Sequence, residues 1–440
     1  MKRIIEIITN IFMIPELRRR ILFTLGVLIV WRFGIFVPLP GVNMKAFRDL
    51  MAELVANFGA VTGYIRFFTG GGGGNLQLSV FSLGIMPYIT ASIMFSLLIK
   101  VVPRLEALAK EGPSGYRKIS QYTRYATVPI CIFWGVSASI VLIKNNLALN
   151  PGFSFIFTSV LCFTAGSMFV MWLGEQITEY GIGNGASLII MSGIIDGIPA
   201  AIMEINKSID ADTLTPDKPL ILLLLYLGSI AAIVYITQAQ RRIPVQYSKH
   251  IRGRHVYGGQ RHYLPLRINH AGVMPVIFAS TLMMVPYTIG NIAGSTWLGK
   301  VFDMSQSGFW YTLLYIVFIF FFSYFWNNLY FRPVEMSDML KESGSFVPGI
   351  RPGHDTALYL QNVMNRITLV EGACLTAIIL MPTLSAAALG VSSYVAGFLG
   401  GTGILIIVGV GLDIMQKVES HLLMREYDGF MKKGRIKGRR

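Results

Sequence analysis

Residue types that perform catalysis or bind metals are sparse in this sequence and form no recognisable constellation. HExxH and CxxC patterns are absent, and His250, His255, His262 and His270 follow one another at spacings of 5, 7 and 8. Without a CxxC pair or an HExxH motif these histidines do not make up a zinc-ligand set, so we interpret them as solvated or RNA-facing. The string GIGNG at 181–185 resembles a nucleotide-binding loop but lacks the preceding strand and the Lys. We therefore expect no enzyme activity, no metal and no cofactor.

Ionisable residues inside apolar stretches are also few. Four of them are expected near helix ends, where they can snorkel or cap, at Arg32, Glu204, Glu371 and Asp413. Asp196 is soon followed by Pro199, and we expect it to close a helix that ends in an outer cavity. A proton-coupled transporter would place ionisable groups at the membrane midplane. An intramembrane protease would need a Ser/His or paired Asp constellation there, and neither pattern is evident.

The elements that must position any functional residue are membrane-spanning helices. The chain has 440 residues, of which 53% are hydrophobic and only 14% charged, whereas a soluble protein carries about 25% charged residues. A hydrocarbon core is crossed by about 20 apolar residues in a helix. Ten such spans are predicted at 21–38, 78–99, 125–143, 153–174, 184–203, 219–239, 271–292, 309–331, 367–389 and 394–413. Three cysteines fall within them and are interpreted as small core residues, at Cys131, Cys162 and Cys374.

The distribution of Lys and Arg predicts the orientation. With the N-terminus inside, the inner segments hold 30 of the 38 basic residues and the outer ones hold 7, which places both termini in the cytoplasm. We expect an amphipathic cytoplasmic segment at 1–20 without a cleavable signal, and a basic cytoplasmic tail at 414–440. Between them, halves at 21–203 and 219–413 each contain five spans. Because five is odd, the second half is inverted relative to the first, as in folds whose working site lies between inverted repeats.

A glycine-broken stretch, 62–98, interrupts this regular pattern. Five glycines at 70–74 separate a segment that is too short to cross a bilayer from a full apolar span. Irregular backbone at membrane depth persists only where protein or a water-filled cavity satisfies its polar groups. The stretch therefore predicts a cavity within the bundle that holds a small mobile segment.

Two long inner loops, 240–269 and 332–366, are the other unusual feature. The first is strongly basic, and its middle, 245–257, alternates enough to form a hairpin around Arg252-Gly253-Arg254. One interpretation is an ordinary basic inner loop, which follows from the positive-inside rule alone. The other is a docking surface for an acidic or RNA-bearing partner, because a basic tip can contact phosphate.

Six strings in this chain closely resemble the SecY family, the channel subunits of the bacterial protein translocon. They agree in sequence, order and spacing, and the resemblance covers essentially the whole chain. The strings are FSLGIMPYITASI (81–93), EGPSGYRKISQYTRYAT (111–127), MWLGEQITEYGIGNGASLII (171–190), LPLRINHAGVMPVIFAS (264–280), SGSFVPGIRPGHDTALYL (343–360) and FLGGTGILIIVGVGLD (398–413).

The resemblance implies an all-α polytopic fold of ten helices in two inverted five-helix halves around a central pore. Its aliphatic pore ring would be Ile85, Ile89, Ala186, Ile190, Ile277 and Ile406. Ala186 departs from the usual bulky residue, so we expect a looser ring on that side. The segment at about 62–72 resembles the plug of the outer funnel, with the residues Thr62, Gly63, Tyr64, Ile65, Arg66, Phe67, Phe68, Thr69 and Gly70.

Spans 2 and 7 resemble the family's lateral gate, where Thr90, Ser96 and Asn269 would be polar gate residues. The basic positions that engage a ribosome or the SecA motor would be Arg252, Arg254, His255 and Arg351. Implied partners are SecE-like and SecG-like membrane subunits, SecA, the ribosome, unfolded preproteins and the lipid bilayer. The resulting expectation is a protein-conducting channel in the bacterial cytoplasmic membrane. The alternative is an inverted-repeat secondary transporter of a small solute.

Overall fold

The computed structural model describes residues 14–49, 78–210, 217–247, 250–252, 255–257, 261–280, 282–283, 309–389 and 401–433. Within these ranges the protein is helical apart from five short strands. The helices are α1 Pro15–Ile35, α2 Met86–Val101, α3 Pro103–Lys110, α4 Pro113–Lys144, α5 Phe153–Tyr180, α6 Gly185–Asp210, α7 Lys218–Gln238, α8 Phe309–Tyr330, α9 Pro333–Glu342, α10 His354–Leu389 and α11 Gly401–Lys433. A shorter helical segment lies at 274–280.

Prolines determine where several of these helices begin. Pro15, Pro103 and Pro113 occupy the first turns of α1, α3 and α4, where a missing N–H is not needed and the fixed φ suits a helix. Pro103 also explains the break after α2. It disfavours helical geometry at the preceding residue, and Val102 is extended, with φ −99° and ψ 110°. The axes of α2 and α3 consequently differ by 98°.

The structure contains many helices that can cross a membrane. Among the described residues six are long and apolar enough, and the bent pair α2–α3 would be a seventh. This protein is therefore a multi-pass membrane protein. The six spans are Pro113–Lys144, Phe153–Tyr180, Gly185–Met203, Lys218–Gln238, Trp310–Glu342 and His354–Met381. Predicted spans 7 and 10 lie partly outside the described residues.

The predicted start of span 2 differs from the structure. Span 2 was expected from residue 78, but α2 begins only at Met86, because 78–85 form turns and Ser79 bridges Pro38. The second long inner loop, 332–366, is not a simple connection. It contains α9, a short strand and the first turns of α10, so much of it is regular structure.

The chain forms two compact units. The first comprises Met1–Leu214, Ser392–Phe398 and Val410–Arg440. In it α4 packs against both α2 and α5, and one buried apolar cluster lies around Leu39, Phe155 and Phe163.

The second unit comprises Thr215–Val391 and Leu399–Gly409, and it carries the strands. These are β1 Gln240–Tyr247, β2 His250–Arg252, β3 His255–Tyr257, β4 Arg261–Arg267 and β5 Ser345–Phe346. They form a three-stranded sheet in the order β4-β1-β5 and a separate β2-β3 hairpin, all antiparallel.

The sheet covers a buried apolar core next to α10. Ile243 and Leu266 from the sheet pack with Leu360, Val363 and Ile367 from the helix. The alternating strand β1 places Ile243 and Val245 inward and its arginines outward, as expected when one face of a sheet is buried. The sheet is thereby fixed to the membrane helix that follows it.

Candidate functional site

The turn at 181–185 positions the start of α6. The side-chain Oδ1 of Asn184 accepts hydrogen bonds from the backbone N–H groups of Ala186 (3.1 Å) and Ser187 (3.4 Å), so Asn184 caps the helix. Gly183 has φ +90°, which favours glycine. The Thr24 Oγ1 of α1 accepts a hydrogen bond from the N–H of Ile182 at 3.2 Å. Residues 181–185 thus form the tight turn between α5 and α6.

Four predicted ring residues lie in the first unit, at the starts of two helices. Ile85 precedes α2 and is only 2% exposed, and Ile89 follows one turn later and is half-buried. Ala186 and Ile190 occupy the first and second turns of α6 and are half-buried. The structure thus places Ile85 and Ile89 together at the start of α2, and Ala186 and Ile190 together at the start of α6.

Gly174 of α5, which the sequence analysis did not single out, lies where these two helix starts meet. A Cβ at this glycine would be 3.3 Å from Ile85 Cδ1 and 3.5 Å from the Ala186 backbone nitrogen. Ile85 and Ala186 are therefore brought together against the backbone of α5. Glycine in an apolar helix was the only available signal in the sequence.

The other two ring residues lie in the second unit. Ile277 is 9% exposed in the helical segment 274–280, and Ile406 of α11 is 4% exposed. Gly409 of α11 approaches the same region, since its Cβ would lie 3.6 Å from Val273. The complete ring of six remains a prediction.

The predicted gate residues use their polar groups locally. Thr90 Oγ1 donates to the Met86 carbonyl at 3.0 Å, and Ser96 Oγ donates to the Ser92 carbonyl at 2.8 Å, both within α2. Asn269 is 9% exposed, and its Oδ1 has no hydrogen-bond partner within the part of the chain that the structure describes. Their role in a gate remains a prediction.

The predicted hairpin in the first long loop is confirmed. Arg252 pairs with His255 at its end, and His250 pairs with Tyr257 at its base. The regular part is longer than expected, because β1 and β4 continue the antiparallel pairing from Gln240 to Arg267. Arg254 and the whole plug segment, 62–72, lie outside the described residues.

Arg351 is exposed on a well-fixed backbone in the second long loop. Its carbonyl accepts a hydrogen bond from Thr356 Oγ1 at 2.8 Å, and the nearby Gly353 carbonyl accepts one from Ser337 Oγ at 2.6 Å. The side chain is thus presented to solvent from a rigid support.

Two predictions about charged residues are wrong. Asp196 does not close a helix, because α6 continues through Pro199 to Asp210, and its carboxylate forms a salt bridge with Arg32 of α1. Glu371 neither snorkels nor caps at a surface, because it is 0% exposed inside the second unit. Its carboxylate accepts hydrogen bonds from Asn327 Nδ2 at 2.6 Å and from the Ala271 N–H at 3.2 Å.

The remaining chemistry-bearing residues are the cysteines and the histidines. The three cysteines are all free, and the residues that the structure describes contain no His, Cys, Asp and Glu cluster suited to a metal ion. His270 lies just before the segment 274–280. Burial, together with the nearby Arg267 cation, lowers the pKa of the His270 imidazole, which favours the neutral ring.

Curated relatives match this chain from end to end. The SecY family model matches residues 79–415. Protein translocase subunit SecY from Thermotoga maritima is 41% identical over 436 residues, covering 98% of this chain and 99% of its own. The Escherichia coli K12 subunit of the same name is 43% identical over 432 residues, with 96% of each chain covered.

Solved channel structures share the fold. One described as the structure of a protein conducting channel has a TM-score of 0.61 at 15% identity, covering 92% of this chain and 93% of its own. A SecY structure on the plug domain has a TM-score of 0.59 at 16% identity, with 92% of each chain covered. Sec61 in a canine ribosome-channel complex has a TM-score of 0.58 at 14% identity, with 92% and 93% covered. The expected all-α, SecY-like fold is confirmed, and the chain belongs to the SecY family.

Proposed function

We propose that this chain is the protein-conducting channel of a Sec translocon. It would pass unfolded secretory proteins across the bacterial cytoplasmic membrane and release membrane-protein segments sideways into lipid. The observation that carries the proposal is the match over 98% of the chain to a relative named as the translocase subunit SecY. The many apolar helices fit this role, since such a channel is built within the bilayer.

The channel would narrow at the aliphatic ring formed by Ile85, Ile89, Ala186, Ile190, Ile277 and Ile406. A passing chain presents every kind of side chain, so polar groups at the constriction would trap it. Aliphatic side chains offer no hydrogen bonds, and a hydrophobic constriction can also block ions by dewetting. The burial of Ile85 and Ile406 supports this assignment.

The segment 62–72 would close the outer side as a plug, and the adjoining glycines would allow it to move at little steric cost. In one of the solved SecY relatives, the plug domain is described as stabilising the closed state of the translocation channel. Thr90, Ser96 and Asn269 would line a lateral gate, through which an apolar signal segment partitions into lipid.

The basic hairpin and the exposed Arg351 would be the docking surface for the SecA motor and the ribosome. Arg252 and His255 form the last backbone pair at the end of the hairpin, and basic side chains favour acidic or phosphate-bearing partners. Docking on these loops requires that they face the cytoplasm. In the predicted topology both termini then face the cytoplasm as well. The partner supplies the energy, and SecE-like and SecG-like subunits would complete the membrane complex.

Vesicles reconstituted with this chain and its associates test the proposal. Given an unfolded secretory precursor and an energised motor, they should import the precursor until it is protected from added protease. Vesicles that never import a precursor but exchange a small solute would favour the secondary transporter instead. None of the relatives described above is named as a transporter of that kind.

A further inference from the structure

The Glu371 carboxyl group is fully buried, and the proposed function leaves it unused. Its residue is 0% exposed in α10. No Lys, Arg or His side chain forms a salt bridge with it among the described residues. It is held by N–H donors instead, namely Asn327 Nδ2 and the backbone amides of His270 and Ala271. A buried acidic group without a counter-ion is expensive, so these hydrogen bonds carry its stabilisation.

The donors come from two further elements. Asn327 lies on α8 and also donates from Nδ2 to Thr368 Oγ1 of α10 at 2.9 Å. His270 and Ala271 lie in a turn, 268–273, that connects β4 to the helical segment 274–280. One carboxyl group therefore fastens this turn to both α8 and α10. An acceptor just before a helix N-terminus is also favoured by the helix dipole.

The fastened turn leads directly into a proposed working part of the channel. Asn269 is a predicted gate residue next to His270, and Ile277 is a predicted ring residue one turn into the following helix. The Oδ1 atoms of Asn269 and Asn327 are buried without a hydrogen-bond partner within the described residues. The polar groups around Glu371 thus hold the turn with few hydrogen bonds. Removal of one of these bonds should therefore release the turn.

We propose that Glu371 is a positioning residue for the lateral gate: it fixes the 268–273 turn and thereby resists the movement of span 7. The inference rests on the proposed channel function. Loss of the carboxylate should loosen the turn and lower the hydrophobicity that a signal segment needs in order to open the gate. A purely structural role would change stability without changing that threshold.

The first experiment measures hydrogen exchange of the turn in the full chain with its associates in nanodiscs. Glu371→Gln preserves size but replaces one of the two acceptor oxygens with an NH2 donor, so the hydrogen bonds from Asn327 and from the Ala271 N–H can no longer both form. Exchange at 268–273 should accelerate about tenfold, as expected when one buried hydrogen bond is lost. Thr376→Val is the matched control, because Thr376 is buried on the same helix and its hydroxyl has no partner within the described residues. It should exchange like the unmodified protein.

The second experiment measures import of precursors with graded signal hydrophobicity. Glu371→Gln and Asn327→Ala should both accept weaker signals, and Thr376→Val should not. Unchanged exchange in both variants would overturn the fastening role, and faster exchange with an unchanged threshold would overturn the gate role. If the unmodified protein imports no precursor at all, the channel proposal itself fails, while the exchange data still decide whether Glu371 holds the turn.

Discussion

The His270 ring lies edge-on to the Phe331 ring, with centroids 6.4 Å apart and planes at 87°. Burial and the Arg267 cation lower the pKa of this imidazole. The unfolded chain then binds a proton more readily than the folded one. The contribution of His270 to stability is complete above its ordinary pKa of about 6.5 and is lost as the pH falls below that value.

We therefore expect His270→Gln to reduce the loss of thermal stability between pH 7.5 and pH 5.5. The measurement is the unfolding midpoint in detergent at both pH values. His262→Gln is the control, because this histidine is likewise exposed and lies edge-on to an aromatic ring, Tyr247. An equal pH effect in His270→Gln and the unmodified protein would contradict the assignment.

Gly174→Leu should disturb the proposed pore ring. A side chain there must displace Ile85 and the start of α6, since a Cβ alone would already lie 3.3 Å from Ile85 Cδ1. Overpacking of this kind typically costs about 1–3 kcal/mol. We expect increased ion conductance of idle channels in a planar bilayer. Gly228→Leu is the control, because no described residue lies within 4 Å of a Cβ at that position. Equal conductance in the two variants would argue against a sealing role for the residues next to Gly174.

Arg351→Glu should impair motor-driven export while the protein still inserts into the membrane. Reversal of an exposed charge at a docking surface should reduce export on the order of tenfold. Lys341→Glu makes the same charge change at another exposed position of this loop and should have a smaller effect. Export at the unmodified rate in Arg351→Glu would remove Arg351 from the docking surface.

Deletion of 62–72 should raise ion leak more than it lowers export. A plug blocks the resting pore but must move aside for a substrate, so its loss affects the closed state most. Conductance and precursor import are measured on the same vesicles. If import falls sharply while conductance stays low, the segment serves another purpose.

A disulfide between a cysteine at Thr90 and one in the outer half of span 7 should block transport. The two helices must part for the gate to open. Import is measured before and after reduction in a background in which Cys131, Cys162 and Cys374 are replaced. Each single cysteine variant serves as the control, and continued transport in the oxidised pair would exclude this gate assignment.

Local patterns made much of the fold predictable. Apolar runs gave the membrane helices, and alternation around Arg252 gave the hairpin. A helix boundary is predictable where a residue restricts the backbone of its neighbour, as Pro103 does for the residue before it. The late start of α2 lacked such a clear signal, because residues 78–85 are apolar although they form turns.

Long-range polar contacts were not predictable. Arg32 and Asp196 are far apart in sequence, and nothing near either residue indicates the other. The partners of Glu371 are 44 and 100 residues away. An isolated acidic residue in an apolar run signals a special environment, but only the folded chain identifies its donors.

The pairing of β5 with β1 has a mechanical consequence. It joins the loop that bears Arg351 to the loop that bears the hairpin, through Gln246–Phe346 and Tyr247–Ser345. On the other edge of β1, strand β4 runs within a few residues of the turn held by Glu371. A partner that binds either loop therefore exerts force on the whole sheet, and β4 would transmit that force to the turn at the start of span 7.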